Sequence, residues 1–73
     1  MAQASISEVE SMLAECAPGS TIKMKTHFRH VYHPNGKVYT ALPKYDNMQV
    51  LHIRKMARFF GILECAKKHI PSI

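Results

Sequence analysis

The chain is short of negative charge: five Asp and Glu stand against ten Lys and Arg, giving a formal net charge of +5 and a pI near 9.5. Polyanions are its natural partners, although a charge of this size also serves solubility alone. Cysteine is scarce, and Cys16 and Cys65 stand too far apart to read as a secreted disulfide framework. Two reduced thiols at core or half-core positions of a protein from a reducing compartment are the expectation. No C-x-x-C pair is present, which argues against a thiol nucleophile. No apolar run approaches the roughly 18–20 residues of a membrane span, and Met1-Ala2-Gln3-Ala4-Ser5 lacks the charged and apolar regions of a signal peptide. A cytoplasmic protein with no membrane contact is expected. No internal repeat or low-complexity tract is visible.

With 73 residues there is room for one domain, spanning residues 1–73. A chain this short buries only about 60% of the surface it exposes when unfolded, so a homo-oligomer or a complex is as natural as a monomer. Its apolar residues are spaced rather than blocked, as in a folded globular chain. Ser5-Ile6-Ser7-Glu8 fits a capping box and predicts a helix with Ile6, Val9, Leu13 and Cys16 or Ala17 on its apolar face, ended by Pro18-Gly19. Over residues 20–32 the period becomes two. Ile22, Met24, Phe28 and Tyr32 form one face, and Lys23, Lys25, His27, Arg29 and His33 form the other.

His33-Pro34-Asn35-Gly36-Lys37 reads as a hairpin turn, because Pro34 presets φ and Gly36 supplies a left-handed residue. A two-residue loop would pair Arg29 with Leu42 and bring charge to the buried face. A three-residue loop, Pro34-Asn35-Gly36, pairs Tyr32 with Val38, His30 with Thr40 and Phe28 with Leu42, and is the expected register. Asp46 or Asn47 then caps a helix running to about Phe60, with Val50, Ile53, Met56, Ala57 and Phe60 inward and Gly61 past its end. A short helix over residues 62–69 is expected to stop before Pro71. The fold class is α+β: a small antiparallel sheet of two or three strands packed on two helices, with its core in residues 5–62 and an extension over 63–73.

The basic strand face is the main candidate site. Alternate strand positions are roughly 6.5–7 Å apart, near the phosphate repeat of one nucleic-acid strand. Lys23, Lys25, Arg29, His33 and Lys37 would contact phosphates, and Tyr39 would offer a ring for a base. Arg54, Lys55 and Arg58 extend the positive surface along the second helix. A plain solvated outer face is the competing reading. His27, His30 and His33 do not suggest a metal centre, because alternation sends His30 to the face opposite His27 and His33 and the usual ligand spacings are absent. His30 is expected at the core edge, bonded to Thr40 or to backbone. No cofactor is implied. His27 among cations could instead act as general base on a ribose 2′-hydroxyl, with Lys or Arg stabilising the phosphorane; a phosphate-contacting histidine without chemistry is the alternative. Met12, Met24, Met48 and Met56 read as adaptable core filler.

The order of elements, the residues from His27 to Lys37, Thr40-Ala41-Leu42-Pro43, Ile53-Arg54-Lys55-Met56 and Gly61-Ile62 together resemble the HicA-type (YcfA-like) mRNA interferase toxins. The resemblance spans about residues 5–62. It implies an α-β-β-β-α fold like that of double-stranded-RNA-binding domains, an endoribonuclease activity in active members, and a HicB-type antitoxin as partner. It also implies a catalytic histidine on the second strand, for which His27 is the nearest match. The family places a Gly-containing pair before that histidine, whereas this chain has Lys25-Thr26. A small RNA-binding protein is therefore expected, with mRNA cleavage through His27 as what the resemblance implies; the rival readings are a non-catalytic nucleic-acid binder and a protein-interaction or inhibitor module, such as a phage-encoded factor whose basic face meets an acidic protein.

Overall fold

The Glu8 N–H donates to Ser5 Oγ and the Ser5 N–H donates to Glu8 Oε1, each at 3.2 Å, so the capping box closes in both directions. It opens α1 (Ile6–Cys16), which buries Val9, Met12 and Leu13. In the computed structural model, which describes residues 2–73, the remaining elements are β1 (Gln3–Ser5), β2 (Thr21–Met24), β3 (Arg29–Tyr32), β4 (Val38–Leu42), β5 (Asn47–Gln49), α2 (Val50–Phe60) and α3 (Leu63–His69). The molecule is thus α+β, with two antiparallel sheets: a ribbon β1-β5 and a three-stranded sheet β2-β3-β4.

The ribbon replaces the helix start expected at Asp46 or Asn47. Met48 is buried opposite Ala4, and each strand runs directly into a helix. The Ile6 N–H donates to Asp46 O at 2.7 Å and the Val50 N–H to Ala2 O at 3.1 Å. Each helix thereby has one of its unpaired N-terminal donors satisfied across the ribbon. At its other end α2 closes on Gly61, whose φ of 73° is left-handed, as the sequence predicts. Its inward stripe is Ile53, Met56, Ala57 and Phe60.

The strand expected over residues 20–32 is two strands. The Lys25 N–H donates to Phe28 O at 3.0 Å, closing a tight turn with Thr26-His27 at its tip. The pairing then joins Ile22 to Val31 and Met24 to Arg29, so even positions of β2 share a face with odd positions of β3. Val31 and Arg29 therefore point to the core, and the expected inward placement of Phe28 and Tyr32 is reversed. Phe28 and Met24 are 46% and 56% exposed, and Met24 is not core filler; Met12, Met48 and Met56 are buried.

The second hairpin has the expected three-residue loop. The His33 N–H donates to Lys37 O, the Gly36 N–H to His33 O, and Gly36 has φ of 96°. Tyr32 pairs with Val38 as predicted. A bulge then intervenes, and Leu42 pairs with Arg29 rather than Phe28. Gly19, at φ 89° after α1, sits against this loop: a Cβ there would lie 2.9 Å from Pro34 Cγ.

Cys16 and Cys65 are joined in a disulfide that ties the end of α1 to α3, with their Cα atoms 5.7 Å apart. The expectation of two reduced thiols is corrected, and with it the ground for assigning a reducing compartment. The pairing was hidden in the sequence because 49 positions separate the two residues and only the docking of α3 on α1 brings them together. Ile70 and Ile73 are also buried, so the expected extension is part of the core. Among the described residues no helix is long and apolar enough to cross a membrane.

Candidate nucleic-acid interface

Register decides which side chains reach solvent on the three-stranded sheet. Lys23 lies opposite His30, and Thr21 and Val38 lie opposite Tyr32, all on the face turned away from Val31 and Leu42. Alternate positions along β3 and its preceding turn therefore present Phe28, His30 and Tyr32 outward. The His30 and Tyr32 rings have centroids 6.5 Å apart. Lys23 Nζ stands 5.4 Å from the Tyr32 ring centroid, a cation–π contact that keeps a positive charge beside the ring. Lys25, Thr26, His27, Phe28, His30 and Tyr32 line one open hollow.

The turn that carries His27 is braced from outside the hairpin. Lys44 Nζ donates to Thr26 O at 2.9 Å, linking the segment after β4 to the turn tip. His27 is exposed at that tip rather than within a strand, and it shares the hollow with His30. His30, expected on the opposite side of the sheet and bonded to Thr40 or backbone, faces outward among these rings. Each imidazole offers a hydrogen-bonding nitrogen, and Lys25 supplies a cation in the same hollow.

Arg29 is the main departure from the expected site. It is 6% exposed, and its Nη1 donates to Pro43 O at 2.8 Å and to Tyr45 O at 2.7 Å. Its Nη2 lies 3.7 Å from Asp46 Oδ1. These contacts satisfy a buried guanidinium and fix the segment between β4 and β5, leaving Arg29 unable to meet a phosphate. His33 is also drawn into structure. Its ring packs 5.2 Å from that of Phe60, and its Nδ1 accepts from the Asn35 N–H.

The other expected contacts gather on a second surface. Tyr39, Leu51, Arg54, Lys55, Arg58 and Phe59 line a groove where α2 meets β4. Tyr39 pairs with Val31 and so belongs to the core side of the sheet, where burial raises its pKa. Its ring lies 5.6 Å from that of Phe59, and Lys37 Nζ stands 5.7 Å from the Phe59 centroid. The nine cationic and aromatic positions expected on the sheet face and along the second helix are therefore divided differently: Lys23 and Lys25 on the outer sheet face, Lys37, Tyr39, Arg54, Lys55 and Arg58 by the groove, and Arg29 and His33 in structural contacts.

Sequence reasoning missed Phe28, His30 and Tyr32 as outward-facing rings, the first exposed and the other two half-buried, and Leu51 and Phe59 beside the cations of α2. A signal for the last two existed: Leu51, Lys55 and Phe59 follow one another at four-residue intervals, one side of a helix. The strand histidines do not cluster as metal ligands; among the described residues the three close ligating side chains are Cys16, Cys65 and His69. Compared with known protein families, curated proteins and solved structures, the chain matches none.

Proposed function

We propose that this protein binds RNA through the outer face of its three-stranded sheet, stacking unpaired bases on Phe28, His30 and Tyr32 and meeting phosphates with Lys23 and Lys25. The observation that carries the reading is the row of rings on alternate positions, with lysines interleaved on the same face. Rings at roughly 6.5–7 Å intervals suit successive splayed bases, and every base has a face to stack. The net charge of +5 supplies the long-range attraction.

The HicA-type resemblance adds cleavage as a second element of the proposal. What favours it is that His27 shares its hollow with Lys25 and His30. In that reading His27 takes the proton from a ribose 2′-hydroxyl while Lys25 stabilises charge on the phosphorus oxygens. A HicB-type antitoxin would then cover the same face.

The test is a titration of labelled single-stranded RNA at several salt concentrations, with the RNA also run on a gel after incubation. Salt-sensitive binding is expected, and binding without salt dependence contradicts the reading. Cleavage by the wild type and not by His27→Ala, with binding retained, supports the catalytic element. Cleavage that survives His27→Ala removes that role, and binding with no cleavage by either protein identifies a non-catalytic relative. Absence of RNA binding together with capture of an acidic protein partner would favour the interaction module.

A further inference from the structure

We infer that Cys16, Cys65 and His69 form a redox-gated zinc site: closed as a disulfide when oxidised, and a two-thiolate, one-imidazole site for Zn²⁺ when reduced. The three ligand atoms already lie within 4.8 Å of one another. Cys65 and His69 are four residues apart in α3, so they project from one side of that helix, and Cys16 meets them from the last turn of α1. Around a tetrahedral zinc with bonds of roughly 2.0–2.3 Å, ligand atoms stand about 3.3–3.8 Å apart. Reduction must let the two bonded sulfurs part to that spacing, while the His69 nitrogen, no more than 4.8 Å from them, needs to close by only about 1 Å. His69 is exposed, so its side chain can make the adjustment without disturbing the core.

The chemistry balances in two steps. A dithiol reductant passes two electrons and two protons to the Cys16–Cys65 bond, giving two thiols, and itself closes to a disulfide. Zinc then displaces both thiol protons and binds two thiolates and the neutral imidazole of His69, with water in the fourth position. Two thiolate charges neutralise the ion, so the site adds no net charge to a protein already at +5. The ion would restrain the same pair of helices that the disulfide joins, so one junction serves in both redox states. This site is separate from the sheet face proposed for RNA.

The experiment uses the whole protein, oxidised or reduced with a dithiol that is then removed under anaerobic conditions, titrated with Co²⁺ as a spectroscopic reporter and with Zn²⁺ against a chromophoric chelator. Reduced protein is expected to bind one equivalent, with a thiolate-to-cobalt charge-transfer band and tetrahedral d–d bands, and oxidised protein none. His69→Ala keeps both cysteines and the disulfide, and it should lower zinc affinity at least tenfold and alter the d–d bands. Zinc should also raise the melting temperature of the reduced protein. Equal binding by oxidised and reduced protein, or affinity and spectrum unchanged in His69→Ala, would overturn the proposal, as would failure of the folded reduced protein to bind either ion.

Discussion

Arg29 donates two short hydrogen bonds to the carbonyls of Pro43 and Tyr45 from a nearly buried position, and its removal leaves those acceptors without their charged donor. Arg29→Met should therefore destabilise the fold by about 2 kcal/mol, read from a urea transition, while leaving the outer sheet face intact. A stability within experimental error of the wild type would contradict this role. Gly19→Ala should also destabilise, because the residue combines a left-handed φ of 89° with a Cβ position 2.9 Å from Pro34 Cγ. Proline at position 34 cannot yield as a flexible chain end would, and a lowered melting temperature is expected. Tyr39 gives a prediction in pH. Burial raises its pKa above the ordinary 10.0, so folding favours the protonated phenol. Below 10 the group leaves stability unchanged; as pH rises from about 10 through the folded-state pKa, the unfolded chain loses the proton first and stability falls. Tyr39→Phe should lessen that alkaline decline in a melting series.

At the level of elements, what the sequence revealed and what it hid have different physical origins. The capping box, the Pro34-Asn35-Gly36 loop, the Gly61 cap and the α2 stripe rest on interactions within a few residues, and each is found where its residues stand. The sheet face did not follow by the same reasoning. The turn at Thr26-His27 contains none of Gly, Pro, Asn or Asp, so nothing local announced it, and a run of alternating residues read as one strand. That turn exchanges odd for even positions, and the bulge between β3 and β4 exchanges them again. Arg29 consequently turns inward and Phe28, His30 and Tyr32 turn outward. The candidate lysines were legible, because charge is read directly, but the rings beside them depended on register. Lys23→Ala combined with Lys25→Ala should reduce the magnitude of the salt slope of single-stranded RNA binding by roughly 1.4, at about 0.7 per phosphate contact. An unchanged slope would remove these lysines from the interface.

For the whole molecule, the disulfide has the largest expected effect. It closes a loop of 49 residues, and loss of that constraint on the unfolded chain corresponds to about 4 kcal/mol in the chain-entropy account. For a thin core of this size such a loss is a large share of total stability. Reduction should therefore lower the urea midpoint strongly, and identical transitions for oxidised and reduced protein would contradict the contribution. Helix α2 packs on β4, and Val31 and Leu42 turn one side of the three-stranded sheet into the core, while its other side carries rings and lysines. That side is the surface proposed to recognise RNA.

The most direct test compares RNA affinity of the wild type with Phe28→Ala plus Tyr32→Ala on the outer face, using Arg54→Ala plus Arg58→Ala on the α2 groove as the reference. Fluorescence anisotropy with single-stranded RNA at fixed salt gives the affinities, and circular dichroism verifies that each variant is folded. The ring variant should lose at least tenfold, since each stacked base is worth about 1–3 kcal/mol, and should lose more than the groove variant. Unchanged affinity in the folded ring variant, with loss confined to Arg54→Ala plus Arg58→Ala, would contradict the account and transfer the interface to the α2 groove.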